Sequence, residues 1–172
     1  MDKQKYNQKR QEKRRVIWIQ KYQQKMSTIK KQPTDILAYT AGLIDGEGCI
    51  YISKGKPRGA RLNSQYTLKV AVGMSVATAV KKIQHHFGGA LRERNNRQYK
   101  PIHRWELSSV EAERFLRRIL PYLIVKKEEA VLGLEFREHM NGYIRTKGRT
   151  LTVKEIAVRE AYKLKMEELK RG

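Results

Sequence analysis

The sequence holds a single cysteine, Cys49, in 172 residues. That excludes an internal disulfide and any zinc site built on paired thiolates. It leads to the expectation of an intracellular, reducing compartment, the cytoplasm of a prokaryote or an organelle. Histidine is scarce too. Of the four, His85 and His86 are neighbours, which a helix points to different faces, while His103 and His139 stand far off in sequence; no histidine metal cluster is expected. Long apolar runs are missing. The longest are Val16 to Ile19 and Leu120 to Val125, the second broken by Pro121, against the roughly 20 residues a membrane helix needs, so no membrane partner is expected. No period repeats along the chain. The largest deficit is acid: 17 Asp or Glu against 38 Lys or Arg, a net charge of +21. Such a chain repels itself, and the simplest relief is a phosphate backbone whose condensed counterions are released on binding. Nucleic acid, double-stranded DNA first, is the expected partner.

What is present suffices for one ordinary core: 40% of the residues are hydrophobic, and the length allows a domain of about 100 to 150 residues plus extensions. Charge divides the chain into three. Residues 1–32 carry eleven Lys or Arg against Asp2 and Glu12 and read as a basic N-terminal extension. Their lack of acid is shared with organellar transit peptides, which however favour Arg, Ser and a helical apolar stripe. Residues 33–141 carry eighteen against eleven and alternate helix-period with strand-period patterns, the mark of an α+β domain. Residues 142–172 carry nine against four and read as a basic linker and a C-terminal helix.

Within the middle part, Thr34 is the expected N-cap of a helix running to about Gly46. Strands follow at Cys49 to Ser53 and Gln65 to Met74, joined by a Gly/Pro-rich tip. The stripe Val76, Val80, Ile83, Phe87 predicts a helix ended by Gly88-Gly89. Leu91 to Arg97 and Ile102 to Ser108 fit a second pair of strands. Ser108-Ser109-Val110-Glu111 is a capping-box pattern opening a helix with the stripe Ala112, Phe115, Leu116, Ile119. Pro121 interrupts it, another helix spans about Lys126 to His139, and Thr152-Val153-Lys154-Glu155 caps a last one to about Leu169.

The run Ile36 to Ile50, ILAYTAGLIDGEGCI, carries the chemistry. Ala38, Gly42 and Gly46 recur every fourth residue, with Ala41 alongside, so one helix face is nearly bare. Two copies of that face could pack on each other, or the helix could lie tightly on its own sheet; the spacing alone leaves both open. Asp45 and Glu47 follow between glycines. A carboxylate at a helix end, with backbone oxygen close by, suits a hard divalent cation, although both acids could equally be solvated turn residues.

Thr40-Ala41-Gly42-Leu43-Ile44-Asp45-Gly46-Glu47-Gly48 resembles the motif that names the LAGLIDADG homing endonucleases, with Thr40 for a Leu, Gly46 for an Ala and Glu47 for an Asp. The motif occurs once, and the element order after it resembles that family's core over roughly residues 34 to 141. The resemblance implies an αββαββα fold whose antiparallel β-sheet saddles DNA. It also implies a sequence-specific, divalent-metal-dependent endonuclease that cuts both strands of a long pseudo-palindromic site and promotes intron mobility. Single-motif members act as homodimers through the motif helix, here the face of residues 35–46. The second acid, Glu47, would be catalytic and bind Mg²⁺ with help from the Gly46 carbonyl; Mn²⁺ or Ca²⁺ would substitute for binding. Asp45 looks structural. Pro121-Tyr122-Leu123-Ile124-Val125-Lys126 matches the stretch ending in the family's water-pocket lysine, making Lys126 catalytic, with Lys127 next if the register slips by one. Met74 stands where some relatives carry a polar residue, so Ser75 or another group takes that part.

Strand alternation divides base-reading from core positions. Gln65, Thr67, Lys69 and Ala71 form one face of the second strand, opposite Tyr66, Leu68, Val70 and Val72. The first strand offers Tyr51 and Ser53 beside Cys49, the hairpin tip Arg58 and Arg61, and the second pair Arg92, Arg94, Arg104 and Glu106, with Trp105 and Leu107 turned inward. A two-stranded ribbon fits the major groove, where Arg reads guanine, Gln adenine and Glu cytosine. Lys127 is also counted among the DNA-binding residues, and Lys147 and Arg149 are assigned to phosphate contacts. An RNA-splicing maturase, or a noncatalytic DNA-binding regulator on the same fold, is the alternative, and secondary RNA binding can coexist with cleavage. Glu47 favours the nuclease, since a bare acid aimed at a phosphodiester repels DNA unless a cation intervenes.

Overall fold

The computed structural model of the chain describes residues 34–56, 65–96, 99–142 and 151–171. Helix α1 (Thr34–Glu47) leads into strands β1 (Gly48–Gly55) and β2 (Gln65–Met74), then α2 (Ala77–Phe87), β3 (Ala90–Asn96), β4 (Tyr99–Ser108) and α3 (Ser109–Ile119). A 3₁₀ turn (Leu120–Tyr122), α4 (Lys127–Gly142) and α5 (Val153–Glu168) complete the order. The sheet is antiparallel throughout, in the order β1-β2-β4-β3. This is the α+β, αββαββα arrangement expected from the sequence.

One face of the sheet is the core, because period-2 alternation puts one set of side chains there: Ile50 and Ile52 of β1, Tyr66, Leu68, Val70 and Val72 of β2, Trp105 and Leu107 of β4, all buried. Helices cover it with their own stripes, Val80 and Ile83 from α2 and Ala112, Phe115, Leu116 and Ile119 from α3. Phe115 meets the rings of Trp105 and Phe87 edge-on at 5.2 and 5.0 Å. The buried indole donates to the Gly88 carbonyl at 2.7 Å, satisfying its polar atom. Gly89 has φ 93°, and a Cβ there would lie 2.6 Å from Leu107 Cδ2, so the close approach of this turn to β4 requires glycine.

Between α3 and α4 the buried Glu113 accepts from Arg137 at 3.2 Å, and Arg117 bonds both Glu113 and Glu138. Burial of that acid is tolerable because its oxygens are paired. Helix α5 opens with the predicted capping box, Thr152 and Glu155 exchanging hydrogen bonds. It runs antiparallel beside the edge strand β1. Glu160 bonds Lys54 at 2.7 Å and Tyr66 Oη, Met166 enters the core, and Lys170 reaches Cys49 at the far end. An edge strand flanked this way is shielded from pairing with other chains.

Four readings need correction. Val76 is the extended residue before α2 and is exposed, so its stripe begins at Val80. Ser108 precedes α3 but its side chain caps nothing; the chain enters the helix through Ser109 at φ 56°, a left-handed residue where the capping box would need an ordinary first turn. Ala71 belongs to the polar parity of β2 yet is buried, its methyl lying between the longer cross-strand neighbours Cys49 and Glu106. Strand β4 starts three residues earlier than read, at Tyr99. Among the described residues no helix is long and apolar enough to cross a membrane.

Candidate active site and nucleic-acid interface

Helix α1 buries Ile36, Thr40, Ala41 and Ile44 against the core. Its other side, Ala38, Gly42 and Gly46, is exposed, and a Cβ added at Gly42 or Gly46 would meet nothing within 4 Å. Of the two packings the spacing left open, the one on the chain's own sheet therefore takes only Ala41. The glycine stripe faces outward. Tyr39 on the same helix is 45% exposed, and the segment held at the helix end contributes Ile124 and Val125, 85% and 74% exposed.

The end of α1 is fixed from two directions. A Cβ at Gly48 would stand 2.7 Å from the Cα and O of Ile44, so β1 can start directly under the last helical turn only with glycine there. From the other side, the Asp45 carboxylate accepts from the backbone N–H of Ile124 at 2.8 Å and of Lys126 at 2.9 Å. Asp45 is thus an anchor, as its place in the motif implied. The Lys126 ammonium donates to the Asp45 carbonyl, capping a helix whose last turn has no basic residue of its own. Lys127, the first residue of α4, is exposed.

Glu47 is the last residue of α1, exposed, and among the described residues its carboxylate has no hydrogen bond or ion pair. The carbonyls of the last turn have no intrahelical partner, and Lys126 takes that of Asp45. A hard cation placed here would find the Glu47 carboxylate, the Gly46 carbonyl and the negative end of the helix dipole, all suited to Mg²⁺. Among the described residues no group of three or more His, Cys, Asp or Glu is assembled. At the end of β2, Met74 is half-buried and Ser75 exposed.

On the sheet face away from the core, register brings the polar set together. Tyr51 lies opposite Lys69, and Ala71 opposite Glu106. The Glu106 carboxylate accepts from Lys69 Nζ at 2.7 Å, Tyr51 Oη at 2.9 Å and Arg104 Nη2 at 3.3 Å, while Arg104 also donates to Tyr51 Oη at 3.0 Å. Partial burial by itself would raise the Glu106 carboxyl, but the hydrogen bonds from Lys69, Tyr51 and Arg104 prevail and hold it below the ordinary carboxylate range. Burial and the bond to Glu106 push the Tyr51 phenol up. Arg92 pairs in register with Arg104, and both are exposed, as is Arg94 opposite Ile102. Like charges directly opposite repel unless an anion sits between them. Ser53 donates to the Thr67 carbonyl at 3.3 Å, both half-buried, and Gln65 is exposed at the strand start. Arg58, Arg61, Lys147 and Arg149 lie outside the described residues.

The sequence reading missed Lys163 and Lys170, which α5 brings to the same side as Tyr51 and Arg104. The signal was present, since Lys163, Met166 and Lys170 fall on one helical stripe, but only the docking of α5 shows which part of the sheet that stripe meets.

The family model described as LAGLIDADG endonuclease matches residues 40–132. Among curated protein sequences no match is found. Solved structures share the fold. The homing endonuclease I-CvuI in complex with the I-CreI target is 22% identical, with a TM-score of 0.66 over 79% of this chain and 82% of that one. The archaeal intron-encoded homing endonuclease I-Vdi141I complexed with DNA is 16% identical, with a TM-score of 0.61 over 77% and 82%. I-SmaMI bound to an uncleaved DNA target is 13% identical, with a TM-score of 0.60 over 81% of this chain and 47% of that one. With the motif helix ending in Glu47, the four-stranded sheet and a family match over more than half its length, the chain belongs to the LAGLIDADG endonuclease family.

Proposed function

We propose that the chain hydrolyses both strands of a long pseudo-palindromic duplex DNA site as a homodimer, using a divalent cation, normally Mg²⁺, at each Glu47, and that this cleavage promotes intron mobility. The observation that carries the reading is the end of α1, where a carboxylate without a partner among the described residues and an anchored lysine stand beside an open glycine stripe.

Gly42 and Gly46 leave room for a second backbone, and the exposed Tyr39, Ile124 and Val125 supply apolar surface next to it. Pairing two copies there would bring two Glu47 side chains to one stretch of DNA. The chain spans most of I-CvuI but about half of I-SmaMI, which supports one fold unit per chain and hence two chains per site. The I-CvuI complexes were solved in the presence of magnesium or calcium, which supports a divalent cofactor.

Glu47 and the Gly46 carbonyl would hold the cation, which when bound neutralises charge at the scissile phosphate and acidifies a bound water. Lys126, kept in place by Asp45, puts a fixed positive charge where the phosphodiester gains negative charge. The Tyr51, Lys69, Arg104 and Glu106 network presents preordered donors to base edges, flanked by Gln65, Thr67, Arg92 and Arg94.

The test is incubation with a randomised duplex library and Mg²⁺, sequencing of cut ends, and a Glu47→Gln variant alongside. A pseudo-palindromic site with a short stagger, lost in Glu47→Gln, is the expected outcome; selective binding without cut ends would leave a regulator or maturase.

A further inference from the structure

Helix α5 is tied to β1 by the Glu160 pair with Lys54, to α4 by the Tyr162 ring 5.7 Å from Phe136, and to the core by the buried Met166. Its C-terminal end is thereby aimed at the outer face of the sheet. There Lys170 donates to Cys49 Sγ at 3.0 Å and stands 5.7 Å from the centre of the Tyr51 ring. Between helix and strand lies an open groove of about 440 Å³, with Tyr51, Met166, Arg104, Lys163 and Lys170 among its lining.

We infer that this groove is a phosphate-binding subsite, in which Lys163 and Lys170 with Arg104 hold the DNA backbone next to the bases met by the sheet. Three cations line this space; Lys163 pairs with Glu167 at 2.6 Å and Arg104 with Glu106 at 3.3 Å, so the positive charges there outnumber the acids that meet them. Glu129 also acts on Lys170 as an opposing charge, and burial raises its carboxyl. Arg104 has five guanidinium donors and spends one nitrogen on Glu106 and Tyr51. Continuity favours DNA as the source of the phosphate, because Tyr51 and Arg104 belong at once to the groove and to the reading network. The subsite deepens the proposed DNA-binding function and rests on it.

Phosphate contacts are independent of sequence, so the test needs no known target. Binding of the full chain to a random-sequence 40-base-pair duplex is followed without divalent metal across a salt series (a length on the order of 40 base pairs covers such an interface). Each phosphate contact adds about 0.9 to the slope of log affinity against log salt. Lys163→Gln with Lys170→Gln is expected to lower the slope by about 2, Lys170→Arg to leave it unchanged, and Glu167→Gln, which releases Lys163, to raise it. A gain in Glu167→Gln cannot come from misfolding. Slopes equal across all the variants would overturn the subsite while leaving the nuclease reading intact. Absence of duplex binding by the unaltered chain would instead sink the proposed function itself.

Discussion

Glu47 and Glu106 are both acids in a chain expected to meet a polyanion, and they are held in opposite ways. Glu47 is exposed at a helix end, with no partner among the described residues. Glu106 is half-buried and accepts from Lys69, Tyr51 and Arg104. The first leaves a charge for something the chain does not supply, a cation. The second spends its charge internally, aligning donors. Three of the roughly four acceptor sites of that carboxylate are taken by Lys69, Tyr51 and Arg104, so beside the expected contact to cytosine we propose that Glu106 orients Arg104 and Lys69.

That contrast can be broken most sharply at Glu47. Exchange to Gln is expected to cut the cleavage rate by about three orders of magnitude or more, while metal-free binding and thermal stability stay unchanged, since the side chain has no described partner to lose. Single-turnover cleavage and a thermal melt give both numbers, and a large loss of stability would mean that Glu47 is structural after all. The support under Glu47 comes next. Gly48→Ala must push a Cβ into the Ile44 backbone at 2.7 Å, which should cost about 2 to 3 kcal/mol by urea unfolding and lower cleavage more than binding.

Asp45→Asn keeps shape but weakens two charge-assisted bonds to Ile124 and Lys126. A loss of about 2 kcal/mol is expected, together with a fall in cleavage as Lys126 loosens; unchanged unfolding would show that the anchor carries no weight. Smallest is Glu106→Gln, about 1 kcal/mol at neutral pH for a partly exposed network. Its sign follows from the lowered carboxyl. Glu106 contributes stability above the ordinary carboxylate value and loses it as pH falls through its depressed folded value. The gap between unaltered chain and variant should therefore close in acid, and a gap independent of pH would assign the effect to packing.

Much of this was legible because it is local. Period-2 alternation put Tyr66, Leu68, Val70 and Val72 on one face, and period-3.6 stripes placed Phe115 and Ile119 against them. Thr152 and Glu155 met as a cap because a capping box spans only four residues. Ser108 shows the limit: the same pattern failed where the turn out of β4 forced Ser109 to positive φ.

The sequence by itself determined the basic charge, the alternation of elements and the motif helix with Glu47 at its end, since these follow from composition, periodicity and adjacent residues. Only the tertiary structure decided that Asp45 holds Lys126 across 81 positions, that Glu106 is satisfied by Lys69, Tyr51 and Arg104, and that α5 delivers Lys170 to Tyr51. Those pairings depend on strand register and helix docking, which are settled by burying the core as a whole and leave no mark at the residues they bring together.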